Sequence, residues 1–144
     1  MRSIIYDGDL GELLAKFHGR FAGRDQECAA LVQSVTSIGH TSRWQPGPRV
    51  VDQTFIKPGT VIANFKFENG RARYPNQSGW HVAIFSDFGN RRPGGGYTHF
   101  WIVDQWRGKT VGRRRKQAWT PEEIKRNNIR PVNDAEQYYI VNLP

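Results

Sequence analysis

The residues able to do covalent chemistry in this chain are one cysteine, Cys28, and four scattered histidines, His18, His40, His81 and His99. Cys28 stands in the run Arg24-Asp25-Gln26-Glu27-Cys28-Ala29-Ala30-Leu31-Val32-Gln33. Asp25 is a good helix N-cap, which predicts Cys28 at the third helical position. Unpaired N–H groups and the positive end of the helix dipole favour a thiolate there. A thiol so placed becomes a nucleophile once an imidazole reaches it. Packing is its competing role. Cys28, Leu31, Val32 and Val35 fall at i, i+3, i+4 and i+7, and a free cysteine often acts as a small buried hydrophobe. A nucleophilic helix must also bury one face, so the partner histidine decides between them.

His81 is the candidate base. Residues 81–86 and 99–105 read as two strands joined by a Gly- and Pro-rich loop over 87–98. Pairing them as a hairpin makes opposed residue numbers sum to about 185, so that His81 faces Asp104 at cross-strand distance. His81, Ala83 and Phe85 then share a face with Phe100, Ile102 and Asp104. A carboxylate beside an imidazole fixes its tautomer and raises its basicity. If the Cys28 helix packs on that face, Cys28, His81 and Asp104 form a nucleophile, a base and an orienter. A bulge that shifts the register by one gives the orienter's place to Gln105. His18 ends a helix and His99 lies near the loop end of the hairpin, so both are weaker bases.

Helices come first and strands after. Asp9-Leu10-Gly11-Glu12 resembles a capping box, and Leu10, Leu13, Leu14 and Phe17 continue a helical stripe to about His18. The Cys28 helix is expected to run to about Ser37, with Gly39 beyond it. Residues 40–58, with Pro46, Gly47, Pro48 and Lys57-Pro58-Gly59, read as irregular loop. Strands follow at residues 60–65, 81–85, 100–106 and 137–141. Thr120-Pro121-Glu122-Glu123 opens a short helix as a capping box with Pro at the first position. This order predicts an α+β fold with an antiparallel sheet.

The 144 residues fit one domain, and 38% hydrophobic with 12% aromatic residues is too apolar for disorder. One cysteine excludes a disulfide framework and thiolate-rich metal sites, and no cofactor or metal motif is present. Gly108-Lys109-Thr110 matches the end of a phosphate-binding loop but has Val103 where that motif needs glycine. Ile4 and Ile5 run straight into Tyr6-Asp7-Gly8-Asp9, so no cleavable signal is expected, and no stretch is long enough to span a membrane. These features predict a chain made in the cytoplasm. Twenty-one Lys and Arg against 13 Asp and Glu give a net charge of +8, which implies an anionic partner. The densest run, Arg113-Arg114-Arg115-Lys116, is expected to be solvated and to take no part in chemistry. A nucleic-acid-binding domain without catalysis is the alternative reading. The aromatic residues lie inside the strands rather than interleaved with the basic run, which argues against it. A catalytically dead binding module is a third reading.

Four ordered blocks carry a resemblance: Glu27-Cys28-Ala29-Ala30-Leu31-Val32-Gln33, Gly59–Phe65, Gly79-Trp80-His81-Val82-Ala83-Ile84-Phe85, and Val103-Asp104-Gln105-Trp106. Over about residues 25–142 the chain resembles a BPSL-type papain-like amidase family. That group is close to the CHAP and NlpC-type peptidoglycan peptidases and to type VI secretion amidase effectors. The resemblance implies a papain-like fold, N-terminal helices packed on an antiparallel sheet, over residues 1–144. It carries the nucleophile onto Cys28, the base onto His81 and the third member onto Asp104. It implies cleavage of an amide in peptidoglycan stem peptides, action in the periplasm of target cells after secretion, and a cognate immunity protein. In such a mechanism the Cys28 N–H stabilises the oxyanion, with the Gln26 side chain as a second donor. Gln105, Trp80 and Trp106 flank the base and orienter, where they either contact substrate or pack the core.

Overall fold

After a two-residue first strand come two short helices, where the sequence order predicts helices first, and each starts where a side chain or a turn leaves the backbone free to coil. A computed structural model describes residues 1–144. Helix α1 (Leu10–Lys16) is capped by Asp9, whose carboxylate accepts from Glu12 N–H at 2.9 Å. Helix α2 (Cys28–Val35) buries Cys28 through Val32. Its N-cap is Glu27, not Asp25. Asp25 instead spends its carboxylate on Glu27 N–H, a local turn that holds residues 25–27 out of the helix. Cys28 is therefore the first helical residue rather than the third. The helix ends at Val35, before the expected Ser37, because Thr36 turns extended and bonds its hydroxyl to Val32 carbonyl at 2.6 Å.

Nine strands follow the antiparallel prediction: β1 (Arg2–Ser3), β2 (Gln45–Arg49), β3 (Val61–Asn64), β4 (Lys66–Glu68), β5 (Arg71–Arg73), β6 (Val82–Phe88), β7 (His99–Trp106), β8 (Lys109–Gln117) and β9 (Tyr138–Leu143). Seven form one sheet in the order β1-β9-β3-β6-β7-β8, with β2 also paired to β9. Strands β4 and β5 make a separate hairpin. Helix α3 (Pro121–Asn127) has the expected capping box between Thr120 and Glu123. No helix is long and apolar enough to cross a membrane.

Two strands contradict the sequence expectation. Strand β2 lies in what reads as loop, because Pro46 and Pro48 hide it; it pairs with β9 through an irregular register between Pro46 and Arg49, as proline requires. Strand β8 is the basic run itself, read as solvated surface.

The sheet is covered on both faces. One face carries Val61, Ala63, Val82, Ile84 and Val103 and packs under α2 with Leu13, Trp44 and Val111. The opposite face carries Ile62, Ala83, Phe85, Phe100 and Ile102 and packs against Val50, Val51, Ala118, Ala135 and Tyr138. Helix α2 is thus on the face opposite to the one that the alternation of His81, Ala83 and Phe85 marks out. Only its first residue reaches the imidazole, around the start of β6.

Gly23 permits the close approach of the preceding loop to α2. It sits at φ +84°, and a Cβ there would collide with the Ala30 carbonyl. Gly23→Ala is expected to destabilise the fold by about 2–4 kcal/mol, combining overpacking with a strained backbone. Gly95 also has positive φ (+105°) but opens onto space, so Gly95→Ala should cost only about 1–2 kcal/mol. Chemical denaturation of both variants measures the difference.

Candidate active site

Strand β6 meets β7 with Ile84 facing Val103 and Phe85 facing Ile102. This register lies two residues from the expected one, and an irregularity between Phe85 and Asp87 absorbs the change toward the loop. Because the strand period is two, a two-residue shift preserves the face. Asp104 becomes a diagonal rather than a direct neighbour of His81, still on its side of the sheet. Its Oδ2 lies 2.7 Å from His81 Nε2. With Nε2 committed to the carboxylate, Nδ1 is the ring nitrogen left for Cys28.

Cys28 Sγ sits against the backbone on either side of His81, 3.9 Å from the Trp80 carbonyl and bonded by Val82 N–H. Tyr74 Oη is 3.2 Å away. Burial pushes the thiol's pKa up, but the His81 ring, the Tyr74 hydroxyl and the Val82 N–H together hold it below its ordinary value. Burial pushes His81 down, but Asp104 and Cys28 overcome it and raise the imidazole to about 9. Burial, then the charge on Cys28, drives the Tyr74 phenol well above its ordinary value, which keeps its proton available to the sulfur. The surroundings of the sulfur thus favour its thiolate and those of the ring its imidazolium, with the phenol beside the sulfur.

Asp104 is 2% exposed and is held from both sides. Its second oxygen, Oδ1, accepts from Arg114 Nη1 at 2.7 Å. Arg114 is itself fixed by the carbonyls of Asp104 and Thr110, and its guanidinium stacks 4.5 Å from the Trp106 ring. Burial raises the Asp104 pKa, and the His81 and Arg114 partners lower it below the ordinary carboxylate value. The basic run therefore does take part in the site, contrary to expectation. Strand alternation separates its members: Arg113 and Arg115 point outward, Arg114 toward Asp104 and Lys116 toward the cleft. That alternation was the available signal.

Gln105 is neither orienter nor substrate contact. It is fully buried, accepts from Ala22 N–H at 2.8 Å and donates to the carbonyls of Ala22 and Glu27. Pointing to the α2 side, it ties down the Glu27–Cys28 peptide whose N–H opens the helix. Gln26 is spent on Gly108 N–H at 3.2 Å and does not line the cleft. Asn64, fully buried, accepts from His81 N–H at 2.7 Å and so sets the base's backbone. Neither Asn64 nor Tyr74 carries a local sequence signature. Trp80 and Trp106 line the cleft, and Trp106 stands edge-on to His81 with ring centres 6.2 Å apart. His99 lies at the far end of β7, beside Thr98, and His40 caps a short 3-10 turn.

These groups open into a cleft of about 560 Å³ bounded by residues 76–81, the Cys28 helix start, Trp106 and the 130–133 segment. A helix-start cysteine facing a sheet-borne imidazole and carboxylate, on this α+β scaffold, defines the papain-like class. The domesticated amidase effector 2 family model matches residues 10–141, and the chain belongs to that family. Among solved structures it is similar to the type 6 secretion amidase effector 2 (Tae2), with 30% sequence identity and a TM-score of 0.68 over 86% of each chain. No curated protein matches.

Two outcomes follow from the electrostatics. Arg114→Ala leaves a buried carboxylate half-compensated and should cost about 3–5 kcal/mol. Arg113→Ala, which breaks an exposed pair with Asp87, should cost less than about 1 kcal/mol. The second concerns pH. A raised histidine stabilises the fold fully below its unfolded pKa of about 6.5, and this is lost as pH rises through the folded value. The lowered Cys28 contributes with the opposite slope, so the scan is cleanest in Cys28→Ala, where Asp104 still raises His81. There the thermal midpoint should fall as pH climbs above about 6.5, and the fall should be absent when His81→Gln is added.

Proposed function

We propose that residues 1–144 act as one cysteine amidase domain that cleaves peptidoglycan stem peptides in the periplasm of target cells. The observation that carries this reading is the buried line from Asp104 through His81 to Cys28, beside a cleft wide enough for a peptide. Membership of an amidase effector family and the likeness to a type 6 secretion amidase effector support the substrate and the destination.

In this mechanism Cys28 is the nucleophile, and His81 holds its proton on Nδ1. The thiolate attacks the amide carbonyl carbon, and the oxygen takes the negative charge facing the Cys28 N–H at the helix start. As the tetrahedral adduct collapses, His81 gives its proton to the departing amine, leaving a thioester. Water, deprotonated by His81, then attacks the thioester; collapse releases the carboxylic acid product and restores the Cys28 thiolate beside protonated His81. Asp104 keeps Nε2 protonated throughout, and Arg114 keeps Asp104 ionised. A cognate immunity protein covering the cleft would protect a producing cell.

Mass spectrometry of muropeptides after incubation is the direct test. The wild type should release cleaved stem peptides, Cys28→Ala none, and Asp104→Asn should lose on the order of 10²-fold or more in kcat. Iodoacetamide labelling tests the thiol separately. Cys28 should react as a thiolate well below pH 8.5. His81→Ala should move that profile upward, since burial is then opposed only by the Tyr74 hydroxyl and the Val82 N–H, and Tyr74→Phe should move it by a smaller amount. Intact muropeptides with the wild type, or an ordinary titration unaffected by His81→Ala, would sink the reading.

A further inference from the structure

Beyond the sulfur, imidazole and carboxylate, the cleft wall is cationic. Arg107, Lys116 and Arg130 line it, against the single carboxylate of Glu27 outside the Asp104 network. Glu27 is already taken, pairing with Arg107 at 2.7 Å on the exposed rim. The other two cations have no counter-ion. Lys116 Nζ donates to the Val132 carbonyl at 3.0 Å and lies 5.3 Å over the Tyr138 ring. It is half-buried, and that burial pulls its pKa down against the opposing charge of Asp104, whose two oxygens are already taken by His81 and Arg114. Arg130 forms no ion pair. Its guanidinium reaches across to Gly79, where an added Cβ would lie 3.4 Å from Nη2. Gly79 is two residues before His81. Arg130 therefore brings its charge from the 130–133 segment to the approach to the base, on the same side of the sheet as Lys116.

An unpaired guanidinium and a half-buried ammonium in one cleft match a carboxylate. The planar fork of arginine binds both oxygens, and the ammonium supplies a point charge whose contact its partial burial strengthens. We infer that Arg130 and Lys116 form a subsite that holds a free carboxylate of the peptide substrate beside the scissile amide. This rests on the amidase reading and adds to it a substrate class: acidic peptides, with neutral or amidated ones discriminated against. It also gives part of the +8 net charge a local use. Arg130 positions the substrate and takes no part in proton transfer.

The test compares two probes, a cross-linked dimeric muropeptide with its carboxylates free and the same dimer with them converted to carboxamides. The wild type should favour the free acid by about 10-fold or more in kcat/KM, mainly through KM, as expected of binding that is uniform along the reaction. Arg130→Gln should collapse this preference, Arg130→Lys should keep part of it, and Lys116→Met should reduce it. Arg115→Gln, a cation pointing away from the cleft, should leave the preference intact. Arg130 is exposed, so its variants test the idea even if Lys116→Met folds poorly. Equal use of the two probes by the wild type overturns the proposal. So does a preference that survives Arg130→Gln. Calorimetric binding of both probes to Cys28→Ala separates the subsite from the chemistry. Tighter binding of the free acid, lost with Arg130→Gln, upholds the subsite even if the wild type cuts neither probe, and then only the amidase reading fails. Binding that does not discriminate between the probes overturns the subsite.

Discussion

The buried carboxylate of Asp104 is the constraint around which this structure is arranged. A carboxylate that is 2% exposed survives ionised only if both oxygens find charged or strong donors. His81 supplies one and Arg114 the other, each at 2.7 Å. The three residues come from three neighbouring strands or strand ends, so the charge network also pins the edge of the sheet. Removing either cation would leave an uncompensated charge, so the network specifies a geometry more than it adds stability. Arg114 shows why an always-protonated partner suits the far side. It keeps Asp104 ionised whatever the state of His81, so the imidazole can change its protonation without its orienter doing so.

Getting Cys28 to that imidazole is a problem of two faces. Helix α2 packs on one side of the sheet, while His81 and Asp104 project to the other. The helix has to end, N-terminally, just past the start of β6. Several side chains fix that point. Asp25 holds the preceding turn, Gln105 grips the carbonyls of Ala22 and Glu27, and Gly23 lets the loop run against Ala30. Asn64 fixes the His81 backbone from β3. The sulfur then lies among Trp80, Val82 and Tyr74, where backbone and phenol donors offset its burial. Residues that look like reactive-site decoration in the linear sequence are scaffolding here, and the reverse is true of the basic strand.

The edge strand β8 combines three duties by alternation. Of its outward arginines, Arg113 pairs with Asp87 and lies over the Trp101 ring, and Arg115 donates to Gln117. They also charge the exposed edge of the sheet, which discourages pairing with another chain. Its inward members serve the carboxylate network and the cleft wall. A run of four cations is thus divided by strand geometry into a solvated pair and a half-buried pair.

The sequence by itself determined the helices, four of the strands and the reactive types. The stripe through Cys28, the Asp9 cap, the Thr120 capping box and the β-branched runs at β3, β6 and β7 are local patterns, and local patterns follow from backbone sterics and hydrogen bonding. The pairing of His81 with Asp104 was legible too, because a register error of two leaves the face unchanged. Tertiary structure alone decided which sheet face α2 covers, since apolar residues occupy both faces of β6 and β7 and the pattern cannot choose between them. It decided that Gln105 and Gln26 serve the chain's own backbone, because buried carbonyls and N–H groups need partners that no local spacing reveals. It brought Tyr74 and Asn64 to the sulfur and the base across the sheet, and drew Arg114 inward. Charge on a strand goes in or out according to what lies across from it, and what lies across from β8 is set by pairing with β7, not by the composition of the run.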